Sequence, residues 1–477
     1  MQGPLIAPSK IIGVGGAYTA MAEGIDGAPE NAASPAVRNS YSYDWFDWDV
    51  DLDASAPGAY GGTDFDNHGA SSDERVQSTV NGFLYAHAGL QVQLGALGLS
   101  ATAELFEYRV TPPPGEGVHG KAVNLVYGRY HALAGYGILD DQIVVGAGAR
   151  IVTLRVNSAG GSGALGTLAG GTLETFGGGE QLLALNGAGP EVGAVWKPNA
   201  LPFRVGATFR SAVGATLGGV TGQVGSFIVP GTGGNISPEG ATRHYVDGFV
   251  LPAVATLPWE FEVGFAVQLG PRPINPPWLD PHDMERPVRR RVDANRAGRR
   301  AEYARELAGT PPEERVAKRR VQEAHEQILR GIEDQELAAD SARLRAIRQA
   351  RERNWPRERI TILGSLLVTG PSAHAVSLEG FANQVQETVG ESVSLTPRIG
   401  VESEPVPNWV HARFGSYLEP SRFPDGAPRQ HFTLGGDFRL FPFSPFGIFG
   451  DQIWRLTIGA DLAPRYQNYG IGLGAWH

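Results

Sequence analysis

The sequence contains no cysteine among its 477 residues. A disulfide scaffold, a cysteine-ligated zinc site and a cysteine nucleophile are therefore excluded. There is also no run of about 18 apolar residues, so no membrane-spanning helix is predicted. Residues 1–4 read MQGP and lack the basic start and apolar stretch of a secretory signal. If the protein is exported, we expect this sequence to be its mature or truncated form.

Motifs for enzymatic or metal chemistry are also scarce. No pairing of a nucleophile with a base is visible, so we expect neither an enzyme nor a cofactor. Asp47, Asp49 and Asp51 resemble the start of a calcium loop, but Leu52 stands where that loop needs glycine. Their spacing of two places them on one face of a strand, so no metal site is predicted. No aromatic–basic pattern points to a nucleic-acid partner.

Glycine, by contrast, is abundant, with 65 of 477 residues, about twice the usual ~7%. Period-two alternation recurs along the chain, for example in residues 46–53, 259–269 and 454–462. Several alternating runs reach 10 to 16 residues, longer than the ~5–6 of soluble strands and near the ~9–11 of tilted spanning strands. The apolar face is the core in a soluble sandwich but faces lipid in a membrane barrel. Alternation alone leaves both open.

Strand length and connection length favour the barrel. Six tryptophans near strand ends suit an interfacial girdle: Trp48, Trp196, Trp259, Trp409, Trp454 and Trp476. We predict fourteen strands, at about 41–52, 79–94, 98–110, 120–136, 142–156, 181–197, 202–214, 243–270 (broken by prolines), 358–375, 392–403, 408–419, 431–442, 452–463 and 467–476. An even number leaves both termini on one side, where the short connections also fall.

The predicted fold is an all-β, 14-stranded antiparallel outer-membrane barrel with an N-terminal plug and a helical insertion. Residues 1–40 form the plug, 41–270 carry strands 1–8, 271–357 form the insertion and 358–477 carry strands 9–14. The insertion is compositionally distinct: residues 281–357 hold 19 Lys+Arg and 14 Asp+Glu, a net of +5, which leaves −15 for the rest. Strand parity places it on the periplasmic side.

Two interpretations of the insertion stay open. Prolines open it as a stiff linker, residues 310–313 (Thr-Pro-Pro-Glu) suit a helix start, and residues 341–354 suit a second helix. Thin apolar stripes and many arginines indicate either a solvated, ion-paired helical hairpin or a docking site for a periplasmic protein partner.

The N-terminal stretch carries a family resemblance. Residues 13–20 read GVGGAYTA, and Ser34-Pro35-Ala36 follows after a short gap. This resembles the hatch of the FadL-type outer-membrane transport proteins, the channels for long-chain fatty acids and aromatic hydrocarbons. Their hatch often reads Gly-x-Gly-Gly-Ala-x-Thr-Ala and then Asn-Pro-Ala, so Ser34 replaces the usual asparagine. The hatch residues expected by this resemblance are Gly13, Gly15, Gly16, Ser34, Pro35 and Ala36. Residues 189–199, 203–211, 413–421 and 429–435 are also similar to strands of the family.

The resemblance implies a plugged fourteen-stranded barrel in the outer membrane of a Gram-negative bacterium, in contact with outer-membrane lipid. It implies passive, hatch-gated uptake of small hydrophobic molecules, fatty-acid-like or hydrocarbon. Some relatives serve secretion or assembly instead. The alternative is therefore a non-transporting scaffold that recruits a periplasmic, secretion or motility partner through residues 271–357.

Two sets of residues are predicted to form the site. Charged residues on the polar strand faces should line the lumen, where they pair with one another to brace barrel and hatch, or contact a ligand: Arg204, Arg210, Glu260, Glu262, Arg398, Glu402, Arg413, Glu419, Asp437, Arg439, Arg455 and Asp461. A ligand entrance is expected in loops 157–180 and 215–242, at Leu165, Leu168, Phe176, Phe227 and Ile228. The expected ligand is apolar with one polar end.

Overall fold

The computed structural model of the chain describes residues 3–39, 42, 44–58, 63–67, 79–112, 122–158, 181–199, 201–216, 245–246, 249–250, 254–278, 280–354, 359–372, 375–383, 388–424, 426–444 and 452–476. The five residues of the predicted ligand entrance lie outside these ranges.

Fourteen long strands form a closed antiparallel barrel, which confirms the predicted fold class. The barrel strands, in order around the wall, are β1 (Phe46–Ser55), β2 (Thr79–Leu94), β3 (Leu97–Thr111), β4 (Val123–Ile138), β5 (Ile143–Ser158), β6 (Gln181–Trp196), β7 (Phe203–Arg210), β12 (Glu260–Leu269), β13 (Ile360–Thr369), β16 (Ser394–Val406), β17 (Val410–Glu419), β18 (Arg429–Phe443), β19 (Gln452–Ala463) and β20 (Tyr466–Ala475). The barrel closes where β1 pairs with β20, with Asp51 opposite Gly474.

The predicted bounds of the eighth strand, residues 243–270, are wrong. Of residues 243–270, only β12 (Glu260–Leu269) enters the barrel. Pro258 precedes it, and a proline inside a central strand would remove a ladder hydrogen bond. The shorter strands of this region pair outside the barrel ladder: β8 (Val213–Thr216) with β11 (Val254–Leu257), and β9 (Tyr245–Val246) with β10 (Phe249–Val250). Helix α4 (Leu378–Asn383) lies between the paired strands β14 (Ala375–Val376) and β15 (Thr388–Val389).

The exposure of the strand faces shows that the apolar residues of the alternating pattern lie on the outside of the barrel. On β3, Leu97 and Leu99 are exposed on the outer wall, whereas Ser100, Thr102 and Glu104 are buried inside. An apolar outer face and a polar inner face are typical of barrels in lipid. A soluble sandwich has the reverse arrangement, with its apolar face inside.

The tryptophan girdle is only partly as expected. Trp409 is 58% exposed and Trp196 is also exposed on the outer wall. Trp476 is only 6% exposed, because its ring stacks on His411 at a centroid distance of 4.5 Å. The prediction that Trp476 belongs to the girdle is wrong.

The connections differ between the two barrel ends. Residues 95–96, 139–142 and 407–409 make short turns at the end where β1 begins and β20 ends. The long segment 270–359 joins its two strands at this same end, since Leu269 and Ile360 pair with each other there. Most connections at the other end are longer than these turns, but only Pro464 and Arg465 link β19 to β20.

Residues 41–47 and 277–356 form a second compact unit. It consists of two helices, α2 (Pro281–Ala308) and α3 (Arg315–Arg353). Asp280 caps α2 by accepting a hydrogen bond from the backbone N–H of His282 at 2.8 Å. Neither of these nor any other helix in the described ranges is apolar over a length that would cross a bilayer.

The two helices differ from the helices predicted in this segment. Helix α3 begins close to the predicted start but runs unbroken through Ser341, so the two predicted helices are one. Ser341 keeps its hydroxyl satisfied within the helix by donating to the carbonyl of Leu337 at 3.1 Å. Helix α2 was not predicted, because Pro287 lies inside it and nearly half of its 28 residues are charged.

Candidate functional site inside the barrel

Residues 3–39, here called the N-terminal segment, are almost entirely buried and contact the inner faces of the strands. The segment contains α1 (Ser9–Gly13) and two short 3-10 turns, Ile25–Gly27 and Ser34–Ala36. Gly15 and Gly16 have φ values of +62° and +76°, which only glycine adopts at little cost. A Cβ on Gly15 would also lie 2.8 Å from the backbone nitrogen of Ser416. The glycine motif therefore lets the segment turn in contact with the wall.

Glycines of the wall complete this contact. A Cβ on Gly98 would overlap the carbonyl oxygen of Pro35, and one on Gly146 would overlap that of Ala32. Gly13 lies against Gly435 in the same way, with its Cβ position 3.0 Å from the Gly435 Cα. Backbone meets backbone with no side chain between, which accounts for much of the high glycine content.

The Ser34-Pro35-Ala36 turn is held by side chains on both sides. The Ser34 hydroxyl donates to the carbonyl of Gly24 at 2.7 Å, and the carbonyl of Pro35 accepts from Gln93 Nε2 at 2.9 Å. Asn31, which the sequence analysis did not single out, donates to the carbonyl of Thr19 at 2.8 Å. These bonds tie the turn to β2 and to the rest of the segment.

An acidic ladder on β1 holds the start of the segment. Asp49 accepts from the backbone N–H of Ile25 at 2.8 Å. Asp53 accepts from the backbone N–H and the hydroxyl of Ser9 at 2.9 and 3.0 Å. Asp51, between them, joins the next cluster. The alternating aspartates that resembled a calcium loop thus bind protein groups from one strand face.

The most enclosed charge cluster joins the segment to the closing seam of the barrel. Arg455 lies 2.5 Å from Asp26 of the segment and 3.1 Å from Asp51 of β1. Lys10 lies 3.4 Å from Asp26 as well. Two cations and two carboxylates balance here, and all four side chains are buried. Lys10 and Asp26 were not predicted, because the segment has no strand alternation to show which side chains meet the wall.

A second cluster lies on β16–β18. Arg413 lies 2.7 Å from Glu402 and forms a bidentate pair with Asp437 at 2.8 and 2.5 Å. Arg359 also pairs with Glu402, at 3.0 Å. Bidentate guanidinium–carboxylate geometry is among the stronger charged hydrogen-bonding arrangements, so this part of the wall is braced between neighbouring strands.

Arg398 links the wall to the glycine motif. It donates to the carbonyl of Gly16 at 3.1 Å and lies 3.2 Å from Glu262 and 3.4 Å from Glu30. Glu262 also accepts from the hydroxyl of Ser365 at 2.6 Å. One arginine thereby bridges a carboxylate of the wall and one of the segment.

Arg204 and Arg210 hold the middle of the segment. Arg204 lies 2.7 Å from Glu23 and donates to the carbonyl of Met21 at 3.2 Å. Arg210 donates to the carbonyl of Pro29 and lies 3.6 Å from Glu260.

Glu260, in turn, lies 2.9 Å from Arg150 of β5. Arg150 was not predicted as part of the site, although it lies on the inward face of its strand.

A third cluster reaches the first residues of the segment. His431 bridges Glu419 and Asp461 at 2.9 and 2.8 Å, and Tyr417 donates to Asp461 at 2.6 Å. The Tyr417 oxygen accepts from the backbone N–H of Leu5 at 2.9 Å. A continuous chain of hydrogen bonds therefore runs from Leu5 to the wall.

Arg439 differs from the other predicted lumen residues. It donates to the carbonyl of Asn408 at 3.2 Å, and its guanidinium lies 5.8 Å from the ring of the exposed Trp409. It is half-buried at a strand end, next to a register shift in β18. The structure places it at the barrel rim, outside the clusters that contact the N-terminal segment.

The sequence analysis also missed a charged layer on β3–β6. Glu104 lies 2.5 Å from Arg129 and 3.5 Å from His131, and His131 lies 2.8 Å from Glu191. Tyr85 donates to Glu104 at 3.0 Å. The inward positions of β4 hold apolar, aromatic and charged side chains in succession.

Beyond this layer the inner wall becomes apolar, in a cluster here called the aromatic chamber. Ring centroids lie 5.1 Å apart for Tyr85 and Phe106, and 5.2 Å apart for Phe106 and Tyr127. Phe83 stacks on Tyr108 at 4.9 Å. The buried cluster also contains Phe65, Val110, Val123, Leu125, Val152, Leu154, Val156, Val213, Leu257, Phe381, Ala382 and Tyr466.

The interior is thus layered along the barrel axis. On β3 the inward side chains run from Gly98, against the N-terminal segment, through Glu104 to Phe106 and Tyr108. Within the described residues, no group of three or more histidine or acidic side chains has the arrangement of a metal site. The interior thus places an apolar, aromatic layer above a charged layer and the N-terminal segment.

Comparison with solved structures places the fold. A FadL homologue from Pseudomonas aeruginosa matches over 100% of this chain and 99% of its own, with a TM-score of 0.50 and 12% identity. The toluene transporter TodX of P. putida matches over 100% and 97% at a TM-score of 0.46 and 13% identity. The monoaromatic hydrocarbon channel CymD matches over 100% and 97% at a TM-score of 0.46 and 9% identity. No protein-family model and no curated protein matches the chain. The expected FadL-type fold is confirmed.

Proposed function

We propose that this protein is an outer-membrane channel of a Gram-negative bacterium that admits small hydrophobic molecules by passive diffusion, with the N-terminal segment as its hatch. It has no enzymatic activity and contacts outer-membrane lipid through its apolar outer face. The observation that carries the proposal is the layered interior, because buried aromatic and aliphatic side chains beside a few polar groups are the lining that apolar ligands prefer. The FadL-type fold of the P. aeruginosa homologue supports it.

The chamber suits an apolar ligand with one polar end. Its aromatic rings offer faces and edges to hydrocarbon at low entropic cost. At its charged border, Arg129 keeps 23% of its side chain exposed and lies 5.6 Å from the Phe106 ring. A polar ligand end would meet the Arg129–Glu104 pair there.

The route on either side of the chamber completes the proposal. Loops 157–180 and 215–242, with Leu165, Leu168, Phe176, Phe227 and Ile228, serve as the external entrance. The hatch closes the periplasmic side, and the buried ion pairs around Asp26 and Arg398 set how firmly it closes.

Ligand binding tests the proposal directly. We expect the full-length protein in detergent to enhance the fluorescence of the apolar probe 1-N-phenylnaphthylamine. The Phe106→Ala variant should weaken probe binding about tenfold, since removing a buried aromatic contact costs on the order of 1–2 kcal/mol. Phe414→Ala, which removes an exposed outer-wall ring, is the matched control. Equal probe binding by both variants and the unaltered protein would contradict a ligand site in the chamber.

The scaffold alternative keeps one supporting observation, the exposed helical unit of residues 277–356. Deleting these residues separates the two functions. A correctly inserted barrel that still takes up hydrophobic probe but loses a periplasmic partner would favour the scaffold, whereas lost uptake would favour a transport role for the unit.

A further inference from the structure

Helix α3 carries a row of exposed, mostly apolar residues on the side away from α2. Positions 321, 324, 328, 331, 335, 338 and 342 alternate in spacing between three and four, as a and d positions of a heptad repeat do. They carry Val321, Ala324, Ile328, Gly331, Gln335, Ala338 and Ala342, and all are exposed. We call this set the outer seam.

The outer seam is separate from the contact between α2 and α3. That contact uses Gln322, Glu326 and Glu333, which are buried or half-buried. Glu333 lies 2.6 Å from Arg299, and Gln322 donates to Glu306 at 2.9 Å. At 3.6 residues per turn, the two faces lie about 170° apart around the helix. Large apolar side chains on the outer seam therefore lack a neighbour in α2: Val321 is 69% and Ile328 is 63% exposed.

We propose that the first four positions of the outer seam, Val321, Ala324, Ile328 and Gly331, bind the same four positions of a second copy of this chain, antiparallel, about a two-fold axis level with residues 326 and 327. In antiparallel coiled coils an a position faces a d position of the other helix. This register places Val321 opposite Gly331 of the second copy, and Ile328 opposite Ala324. Each large side chain meets a small one, so the surface is complementary to itself in size, as a two-fold interface requires.

Charge is complementary in the same register. Arg320 and Asp334 flank the seam on one side, seven residues before and seven after Gln327. The axis brings Arg320 of each copy to Asp334 of the other, twice per dimer. Arg320 has no ion-pair partner among the residues that the structure describes, and the Asp334 side chain stays 67% exposed although Arg296 lies 2.8 Å away. An acidic helix of an unrelated protein could pair with Arg320, but its side chains would not match the alternation of large and small residues along the outer seam.

Cysteine cross-linking tests the register, since the natural chain has no cysteine to interfere. In full-length protein in lipid nanodiscs and in detergent, Gln327→Cys should form a covalent dimer with a short bismaleimide at least tenfold faster than Glu323→Cys. Position 323 is exposed on the same helix but lies off the seam. The prediction does not depend on transport.

The second measurement is the mass of the intact assembly, by native mass spectrometry, for variants without an introduced cysteine. Ile328→Asp should abolish the dimer, whereas Val316→Asp, equally exposed at 63% but off the seam, should keep it. The proposal is overturned if the unaltered chain is monomeric in both media and the two cysteine variants cross-link equally slowly. Cross-linking of position 327 to a different protein, without self-cross-linking, would also overturn it.

Discussion

The barrel and the helical unit both rely on arginine–carboxylate pairs, but in opposite surroundings. In the barrel, Arg455 and Asp26 are enclosed between the N-terminal segment and the wall. In the helical unit, Arg291 of α2 and Glu336 of α3 pair with side chains that are 59% and 48% exposed. Breaking a buried pair strands an unpaired charge and costs about 3–5 kcal/mol, whereas an exposed pair contributes about 0–1 kcal/mol. The same chemistry therefore fixes the N-terminal segment in one region and only adjusts stability in the other.

The largest effect is expected when the enclosed cluster is broken. Asp26→Asn leaves Arg455 and Lys10 facing Asp51 alone, so the N-terminal segment should dock more weakly by about 3 kcal/mol. Single-channel recordings in planar bilayers should show frequent open events that the unaltered protein lacks. Asp334→Asn, in the helical unit, is the matched control and should leave the recordings unchanged. A silent Asp26→Asn channel would mean that the cluster does not hold the hatch.

A smaller loss should follow from filling the backbone contact between wall and segment. Gly98→Ala places a methyl group against the carbonyl of Pro35, and overpacking of this kind costs about 1–3 kcal/mol. Heat-induced unfolding in detergent, followed by gel mobility, should occur at a lower temperature.

Gly214→Ala is the control for this prediction, since a Cβ there has open space. An unchanged unfolding temperature for Gly98→Ala would show that the segment shifts without cost.

The smallest effect concerns acid and should be confined to the helical unit. Hydrogen bonds from Arg299 and then Arg296 lower the pKa of Glu333 to about 2, against about 4.3 for an unfolded glutamate. A lowered pKa stabilises the folded form above about pH 4.3, and this stabilisation disappears as the pH falls toward 2. The protection factors of the α2 and α3 amides, corrected for the intrinsic pH dependence of hydrogen exchange, should therefore fall between these pH values.

Glu333→Gln separates this pair from the other acidic groups. The variant should show lower protection factors at neutral pH and a smaller loss of protection on acidification. Equal pH dependence of the variant and the unaltered chain would assign the effect to other carboxylates.

Much of the barrel could be predicted from the sequence, because each wall strand is long and alternates. Parity also identified inward charges such as Arg398 and Arg413, since every second residue of a strand shares a face. It could not identify their partners in the N-terminal segment, such as Glu30, because that segment has no periodic structure. The aromatic chamber escaped prediction for a related reason: an inward aromatic such as Phe106 reads as part of an apolar face until the barrel direction is known.

Helix α2 shows why hydrophobic periodicity predicts less outside the barrel. It is stabilised by ion pairs across to α3, such as Arg299 with Glu326 at 3.0 Å, and has little apolar pattern. Sequence periodicity detects apolar burial, so a helix held mainly by charges gives a weak signal.

The site where Arg455 meets Asp51 has a consequence for the order of assembly. Gly474 of β20 lies between the two strands that carry these residues, and a side chain there would meet both of them. The docking position for Asp26 therefore exists only after the last strand has joined the first. The N-terminal segment is synthesised first but can dock completely only after the barrel has closed. A fully docked segment is therefore a sign of a closed barrel. A chain that stalls before closure would leave its N-terminal segment accessible to proteases.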